Sequence, residues 1–367
     1  MKRNNIPILS FFTGAGFLDI GFIQAGFEVI WSNEYDVNFK KGYEYGMSNL
    51  FGKDKLIHNS SSIIDVGPNQ IAREAFHNTP KSEMFGMIGG PPCPDFSVGG
   101  KNLGSLGARG KLSQVYVFRI LELQPTFFLF ENVKGLLGTQ RHRAFFNDLC
   151  LQLSKDYILE YRVLNTLDYG IPQDRERVFL IGLNRKWARK KWGKTLNDKL
   201  IISWPNNVYE GAKSLFNWPS EIPYGENPPK PEGIPDNLMV ESLICNTEET
   251  YRLPNGLEWF TPRSNKFTII SEGDTSRKSF KRLHRWRYSP TVAYGNNEVH
   301  LHPKEPRRLS VREALRIQSV PDKYILPEEM PLTYKFKTIG NGVAVKLAYE
   351  LACSIRNMIE GEPSDAF

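Results

Sequence analysis

Residues 6–12 form an apolar run that breaks at Thr13-Gly14-Ala15-Gly16 and passes into a helix-period pattern. Leu18, Ile20, Gly21, Ile23 and Ala25 mark the inner side of that helix. A strand handed to a helix through glycines is the opening unit of an α/β fold, because glycine accepts backbone angles that other residues resist. The alternation continues. Residues 28–32 read as a second strand ending in Asn33-Glu34-Tyr35-Asp36; 84–88 and 126–130 read as strands with a helix at 114–123 between them; 177–183 is a further strand. Short connections between alternating elements predict a mostly parallel sheet covered by helices. In such sheets ligands bind beyond the carboxyl ends of the strands.

The pattern changes after Asn184. Residues 204–235 are rich in proline (Pro219, Pro223, Pro228, Pro229, Pro231, Pro235), and periodicity stays poor to about residue 288. This predicts a smaller second domain of short strands and loops. Order returns at Ser310, a helix N-cap with Glu313 three residues later, and that helix should stop before Pro321. A last helix over 343–359 carries Val345, Leu347, Ala348, Leu351, Ala352 and Ile355 on one face and should pack back on the first domain. The expected division is 1–184, 185–302 and 303–367, and a length of 367 residues accommodates it. No apolar run approaches the roughly 20 residues that span a bilayer, and the start of the chain lacks the apolar segment of a signal peptide. The four cysteines show no zinc-type spacing, so no metal is expected, and a reducing cytoplasm suits them.

Net charge is +7, which favours a polyanionic partner. Two clusters, 185–194 and 277–287, mix cations with aromatic rings and could neutralise phosphates; the alternative is a solvated basic face. Chemistry concentrates elsewhere. Pro91-Pro92-Cys93-Pro94 follows the strand at 84–88, and the prolines leave the backbone little freedom. Cys93 is thereby mounted rigidly above the sheet, a placement that packing alone would not require. Thr13-Gly14-Ala15-Gly16 with Glu34 at the end of the next strand suits a nucleoside, the acid meeting ribose hydroxyls. Dehydrogenases share such a turn, but Phe17 stands where a pyrophosphate fingerprint needs glycine. Glu131 ends the apolar strand 126–130, on the sheet edge expected for Cys93. Arg175 and Arg177, two apart at a strand start, should point the same way, either into the site or into surface pairs with Asp174 or Glu176.

In this order the motifs resemble the DNA cytosine-5 methyltransferase family, from Ile8 to about Ile355. Phe12–Gly16 and Asn33–Asp36 resemble its two cofactor motifs, Gly90-Pro91-Pro92-Cys93 its nucleophile motif, and Arg109–Leu112 the segment after its mobile loop. Glu131-Asn132-Val133 and Gln173–Arg177 resemble its catalytic set. Arg308–Gln318 is similar to the motif bracing the target-recognition domain, and Gly340–Val345 to the motif that returns to the cofactor. Three departures stand out: Phe17 for a third glycine, Pro94 for the usual glutamine, and Ser62 (with Asp65 as a lesser substitute) for the acid that meets the adenine amine.

The resemblance implies an S-adenosylmethionine-dependent methyltransferase fold with a smaller, irregular, β-rich target-recognition domain. It implies a cofactor site at Phe12, Gly14, Ala15, Gly16, Glu34, Tyr35, Ser62, Ile63, Leu112, Asn341 and Gly342, and DNA contacts at Pro92, Ser97, Gly99, Lys101 and Thr291. Cys93 would attack carbon 6 of a flipped-out cytosine, so that carbon 5 can accept a methyl group. Glu131 would bond the ring nitrogen and amine; Arg177 would hold the carbonyl, and Arg175 would support the site and the backbone. The glycine-rich stretch 97–107 would close over DNA. The expected partners are double-stranded DNA and a cognate restriction endonuclease, for a bacterial monomer acting on the nucleoid in the cytoplasm. Rival readings are a tRNA methyltransferase of the same fold, whose Cys-Phe-Thr signature is absent here (Cys245 precedes Asn246-Thr247), an inactive DNA-binding regulator, and a dinucleotide oxidoreductase.

Overall fold

The computed structural model describes residues 5–52, 57–77, 84–92, 110–193, 202–292, 294 and 298–361. The expectations for Cys93, Pro94, Ser97, Gly99, Lys101 and Arg109 lie outside them. One seven-stranded sheet organises the chain: β1 (Ile6–Phe11), β2 (Phe27–Asn33), β3 (Ile57–Asn59), β4 (Gly86–Gly89), β5 (Phe127–Val133), β6 (Tyr157–Asn165) and β7 (Glu176–Asn184). Their spatial order is β3-β2-β1-β4-β5-β7-β6. The first five pair parallel, and β7 runs antiparallel to both β5 and β6. The central strands are buried on both faces (Ile8 and Leu9 are 0% exposed), which is why β1 reads as an unbroken apolar run and not as an alternation.

The helices are α1 (Phe17–Gln24), α2 (Val37–Phe51), α3 (Pro68–Phe76), α4 (Gly110–Leu123), α5 (Gln140–Leu153) and α6 (Arg185–Trp192) around the sheet. Short helices follow at α7 (Ala212–Leu215), α8 (Glu241–Ile244), α9 (Thr247–Arg252) and α10 (Lys266–Ile269), then α11 (Val311–Ile317), α12 (Leu332–Asn341) and α13 (Val345–Glu360). One face of the sheet packs on α1 and α13 through Leu18, Phe22, Leu347, Leu351 and Ile355. The other packs on α3, α4 and α5 through Ile71, Tyr116, Ile120 and Phe146. Ser310 caps α11 as expected, its hydroxyl accepting from the Glu313 amide while the Glu313 carboxylate accepts from its own.

Two expectations need correction. β5 does not end at Phe130: Glu131, Asn132 and Val133 remain in the strand because β7 pairs with them through Phe179, Val178 and Arg177. α12 holds Gly340 and Asn341 in its last turn. The β-rich second domain is not found. Among the described residues of 205–302 there are short helices and isolated bridges, but no strand. Prolines withhold the amides that a ladder needs, and buried arginines bind the chain instead: Arg282 donates to the carbonyls of Ile270, Phe267 and His302. α6 packs Ala188, Trp187 and Trp192 on the sheet core, and Lys191 donates to the carbonyl of Ile359 at the end of α13.

Candidate active site

A cavity of about 590 Å³ opens at the carboxyl ends of β1, β2, β4 and β5. Phe12, Gly14, Ala15, Glu34, Tyr35, Ser62, Ile63 and Leu112 line one part of it. Pro92, Glu131 and Arg177 line another, and Asn341 and Gly342 close it from the end of α12. Gly16 and Arg175, expected at the site, and Thr291, expected to touch DNA, are not among the residues lining this cavity. Of the two acceptors considered near β3, Ser62 lines the cavity and Asp65 does not.

The glycine turn is tightly specified. Gly14 and Gly16 have φ of +55° and +82°, and Phe12 holds +55°, a region that costs a bulky side chain energy and that recurs at functional sites. A Cβ on Gly16 would stand 2.7 Å from the Tyr43 ring. The Glu34 carboxylate accepts from the amides of Gly14 (2.9 Å) and Asp36 (2.8 Å), so it is oriented by the turn it faces. Burial raises its pKa, and these two bonds oppose the rise. Phe17 takes the place expected for glycine by packing against another one: a Cβ on Gly342 would lie 2.3 Å from its ring. The hydroxyls of Thr13 and Thr338 are buried beside the turn without a hydrogen-bond partner among the described residues. Such orphaned groups, around glycines that admit close approach, fit a polar nucleoside ligand such as S-adenosylmethionine.

Asp19 lines the floor of the cavity, 0% exposed, and accepts from Ser10 Oγ (2.6 Å) and Tyr43 Oη (2.8 Å). Burial pushes its carboxyl up to about 7, against those two bonds. A folded-state pKa above the unfolded value means that the folded chain holds the proton longer. Stability from this group is therefore fully present below about 3.8 and is lost as pH rises through about 7. Asp19→Asn should gain stability relative to the native chain on going from pH 5 to pH 8, by an amount of order a few kcal/mol; thermal melts at the two pH values measure it.

At the opposite end, Arg177 Nε lies 3.1 Å from Glu131 Oε1, without its N–H aimed at that oxygen. Glu131 and Arg177 are diagonal neighbours on one face of the β5–β7 ladder. Burial raises the Glu131 pKa; Arg177 and then Arg175 oppose it. Burial likewise lowers that of Arg177, with Glu131 opposing. An acid in this setting can hold or give up a proton next to a fixed cation. Gly90 leaves room for it, since a Cβ there would be 2.6 Å from Glu131 Oε2. Asn132, to which the sequence reading gave no separate role, donates to the carbonyl of Pro91 at 3.3 Å. The turn leading to Cys93 is thus pinned to the strand that carries Glu131.

The surface pairing considered for the two arginines does not occur. Lys213 takes Asp174 and Lys134 takes Glu176, each at 2.7 Å. Arg175 is fully buried and donates to the carbonyls of Val292 (2.9 Å), Gly340 (3.0 Å) and Gly342 (2.9 Å), so it positions the cavity wall from behind. Gln173 works with it, donating to Gln318 and accepting from the Val292 amide. Thr291 Oγ1 donates to the Asp174 carbonyl at 2.6 Å. Burial pushes the thiols of Cys150 and Cys245 up to about 12, so neither is a thiolate at neutral pH. Among the described residues no cluster of His, Cys, Asp or Glu could hold a metal, and no helix is long and apolar enough to cross a membrane.

Comparison with known proteins agrees with this geometry. The family model for C-5 cytosine-specific DNA methylase matches residues 6–357. The type II methyltransferase M.NmeDI of Neisseria meningitidis serogroup C is 43% identical over 98% of this chain and 85% of its own length. The type II methyltransferase M.MthTI of Methanothermobacter thermautotrophicus is 32% identical over 97% and 99%. Among solved structures, a candidate DNA modification methyltransferase encoded within an E. coli prophage shares the fold with a TM-score of 0.66, at 23% identity over 97% of this chain and 100% of that one.

Proposed function

The chain belongs to the C-5 cytosine-specific DNA methylase family and is a DNA cytosine-5 methyltransferase, and from that premise we propose how its residues divide the work. The target cytosine leaves the duplex, at a cost of a few kcal/mol, and enters the cavity between Pro92 and Glu131. The Cys93 thiolate adds to carbon 6; a C–S bond forms, and the ring's electrons shift toward its N3, where Glu131 supplies a proton. Arg177 holds the cytosine carbonyl. Arg175, through Val292, Gly340 and Gly342, keeps the wall in register. S-adenosylmethionine, when bound, supplies the electrophilic methyl group that carbon 5 accepts, and Phe12, Gly14, Ala15, Glu34, Tyr35, Ser62, Ile63, Leu112, Asn341 and Gly342 would hold it. A base, for which a water molecule suffices, then removes the carbon-5 proton. The double bond re-forms, the C–S bond breaks, and Glu131 recovers its proton from N3.

The observation that supports this reading is the single cavity that brings Gly14 and Glu34 together with Pro92, Glu131 and Arg177. We assign target recognition to residues 205–302, since α6 packs with the sheet. The likeness to type II methyltransferases supports a modification role beside a cognate restriction endonuclease, exercised by a monomer on nucleoid DNA in a bacterial cytoplasm. Bisulfite sequencing of DNA from cells expressing the chain should reveal 5-methylcytosine in one short sequence context. Unmodified DNA, with methyl transfer to tRNA in its place, would overturn the assignment.

A further inference from the structure

The basic cluster 277–287 contains four arginines, and the fold uses three of them internally. Arg277 pairs with Asp274 at 3.1 Å. Arg282 is spent on backbone carbonyls, and Arg285 is buried on Glu272 at 2.7 Å. Arg287 is different. It is half-buried, and its guanidinium makes no hydrogen bond or ion pair with any described residue. The neighbouring Tyr288 ring has its centroid 6.0 Å from it. A guanidinium carries five donors in a rigid fork, and an aromatic face can orient that fork without using any of them.

Arg287 lines a second cavity, of about 250 Å³, together with Asp174, Lys213, Thr275, His284 and Tyr288. His284 stands on the same wall. It is 2% exposed, and its Nδ1 accepts from the Trp286 amide at 3.1 Å, so the ring proton sits on Nε2. Burial lowers its pKa to about 4, which keeps the ring neutral, and Nε2 has no partner. Across the cavity, Asp174 is occupied by Lys213. The carboxylate of this wall is thus taken, while the Arg287 guanidinium is not.

The cavity is tied to the catalytic end. Asp174 lies three residues before Arg177, its amide donates to the Ser289 carbonyl at 2.8 Å, and its carbonyl accepts from Thr291 Oγ1. Three extended residues span at most about 11 Å, while base pairs are spaced about 3.4 Å apart along the helix axis. The linings of the two cavities therefore approach each other at Asp174 and Arg177, and a duplex whose cytosine enters the first has base pairs within a few steps of the second.

We propose that Arg287 reads a guanine close to the target cytosine, donating to O6 and N7 in the major groove; this rests on the cytosine-flipping reading of the first cavity. Guanine is the base whose major-groove edge offers two adjacent acceptors to such a fork. A phosphate would also accept a guanidinium, but a phosphate contact carries no sequence preference. The two roles therefore separate in one experiment. The full-length protein, S-adenosylmethionine and a pool of duplexes randomised around one cytosine are incubated, and the products are read by bisulfite sequencing. The native chain should require a guanine within about three pairs of the methylated cytosine. Arg287→Ala should relax that one position, leave the others unchanged, and slow methylation of the preferred sequence by about 5- to 150-fold. Arg287→Lys, which keeps the charge but loses the fork, should relax the same position. Thermal melting and S-adenosylmethionine binding check that each variant is folded. If Arg287→Ala retains the full sequence preference, the proposal is wrong; a uniform loss of rate, with a salt dependence weakened by about one phosphate, would make the contact a backbone one. A native chain that methylates cytosine without needing a nearby guanine also overturns it. A native chain that methylates no cytosine at all overturns the reading on which it rests.

Discussion

Cys93→Ser is expected to lower kcat for DNA methylation by on the order of 10⁴-fold or more while leaving S-adenosylmethionine binding unchanged. The serine hydroxyl is about as large as the thiol, but it is far less acidic and a poorer nucleophile toward a ring carbon. The two described cysteines whose thiols burial pushes up to about 12, Cys150 and Cys245, cannot substitute at neutral pH. Glu34, Gly14 and the orphaned hydroxyls of Thr13 and Thr338 belong to the other part of the cavity, so cofactor affinity should survive. Single-turnover transfer of tritiated methyl groups, beside calorimetric titration with S-adenosylmethionine, separates the two effects. A variant that keeps more than about one hundredth of native kcat would remove Cys93 from the mechanism.

Glu131→Gln should reduce kcat by roughly 10²- to 10³-fold, the usual cost of losing one preorganised group at a developing charge. The amide still fits beside Gly90, but it cannot deliver a proton to the ring nitrogen. Because burial raises the Glu131 pKa, its proton persists to higher pH than on an ordinary glutamate, and activity that depends on that proton falls as pH rises through the shifted value. Glu131→Gln should abolish this alkaline limb. Arg177→Ala removes the cation that holds the value down, so its lower kcat should come with a limb moved to higher pH. An Arg177→Ala limb at lower pH would contradict the assignment of proton donor. Melting curves belong beside the kinetics, since Glu131→Gln leaves the buried Arg177 without its anion.

Much of this was legible in the sequence because it was local. The apolar run of β1, its glycine turn, the Ser310 cap and the β5 strand each declare themselves within a dozen residues. What escaped was set by distant partners. β5 runs on past Phe130 because β7 supplies a ladder from about fifty residues away, and no periodicity announces that. Arg175 carries a supporting role by resemblance alone, and its three carbonyl partners lie more than a hundred residues on. Phe17 looked like a departure from the glycine pattern until Gly342 was found to leave room for its ring. The proline-rich middle misled for the same reason: its loops are held by buried Arg282 and Arg285, which in the sequence resemble a surface meant for phosphates.

The most direct test of Cys93 as the attacking group is to stop the reaction before the sulfur leaves. In a duplex carrying 5-fluorocytosine at the methylated position, carbon 5 has no proton to give up, so the C–S bond formed in the first step persists. Incubation with S-adenosylmethionine, digestion, and mass spectrometry of the peptides should find the methylated, fluorinated nucleotide on Cys93 and nowhere else. An adduct on another residue, or complete methylation of ordinary cytosine by an enzyme that forms no adduct with the fluorinated duplex, would contradict it.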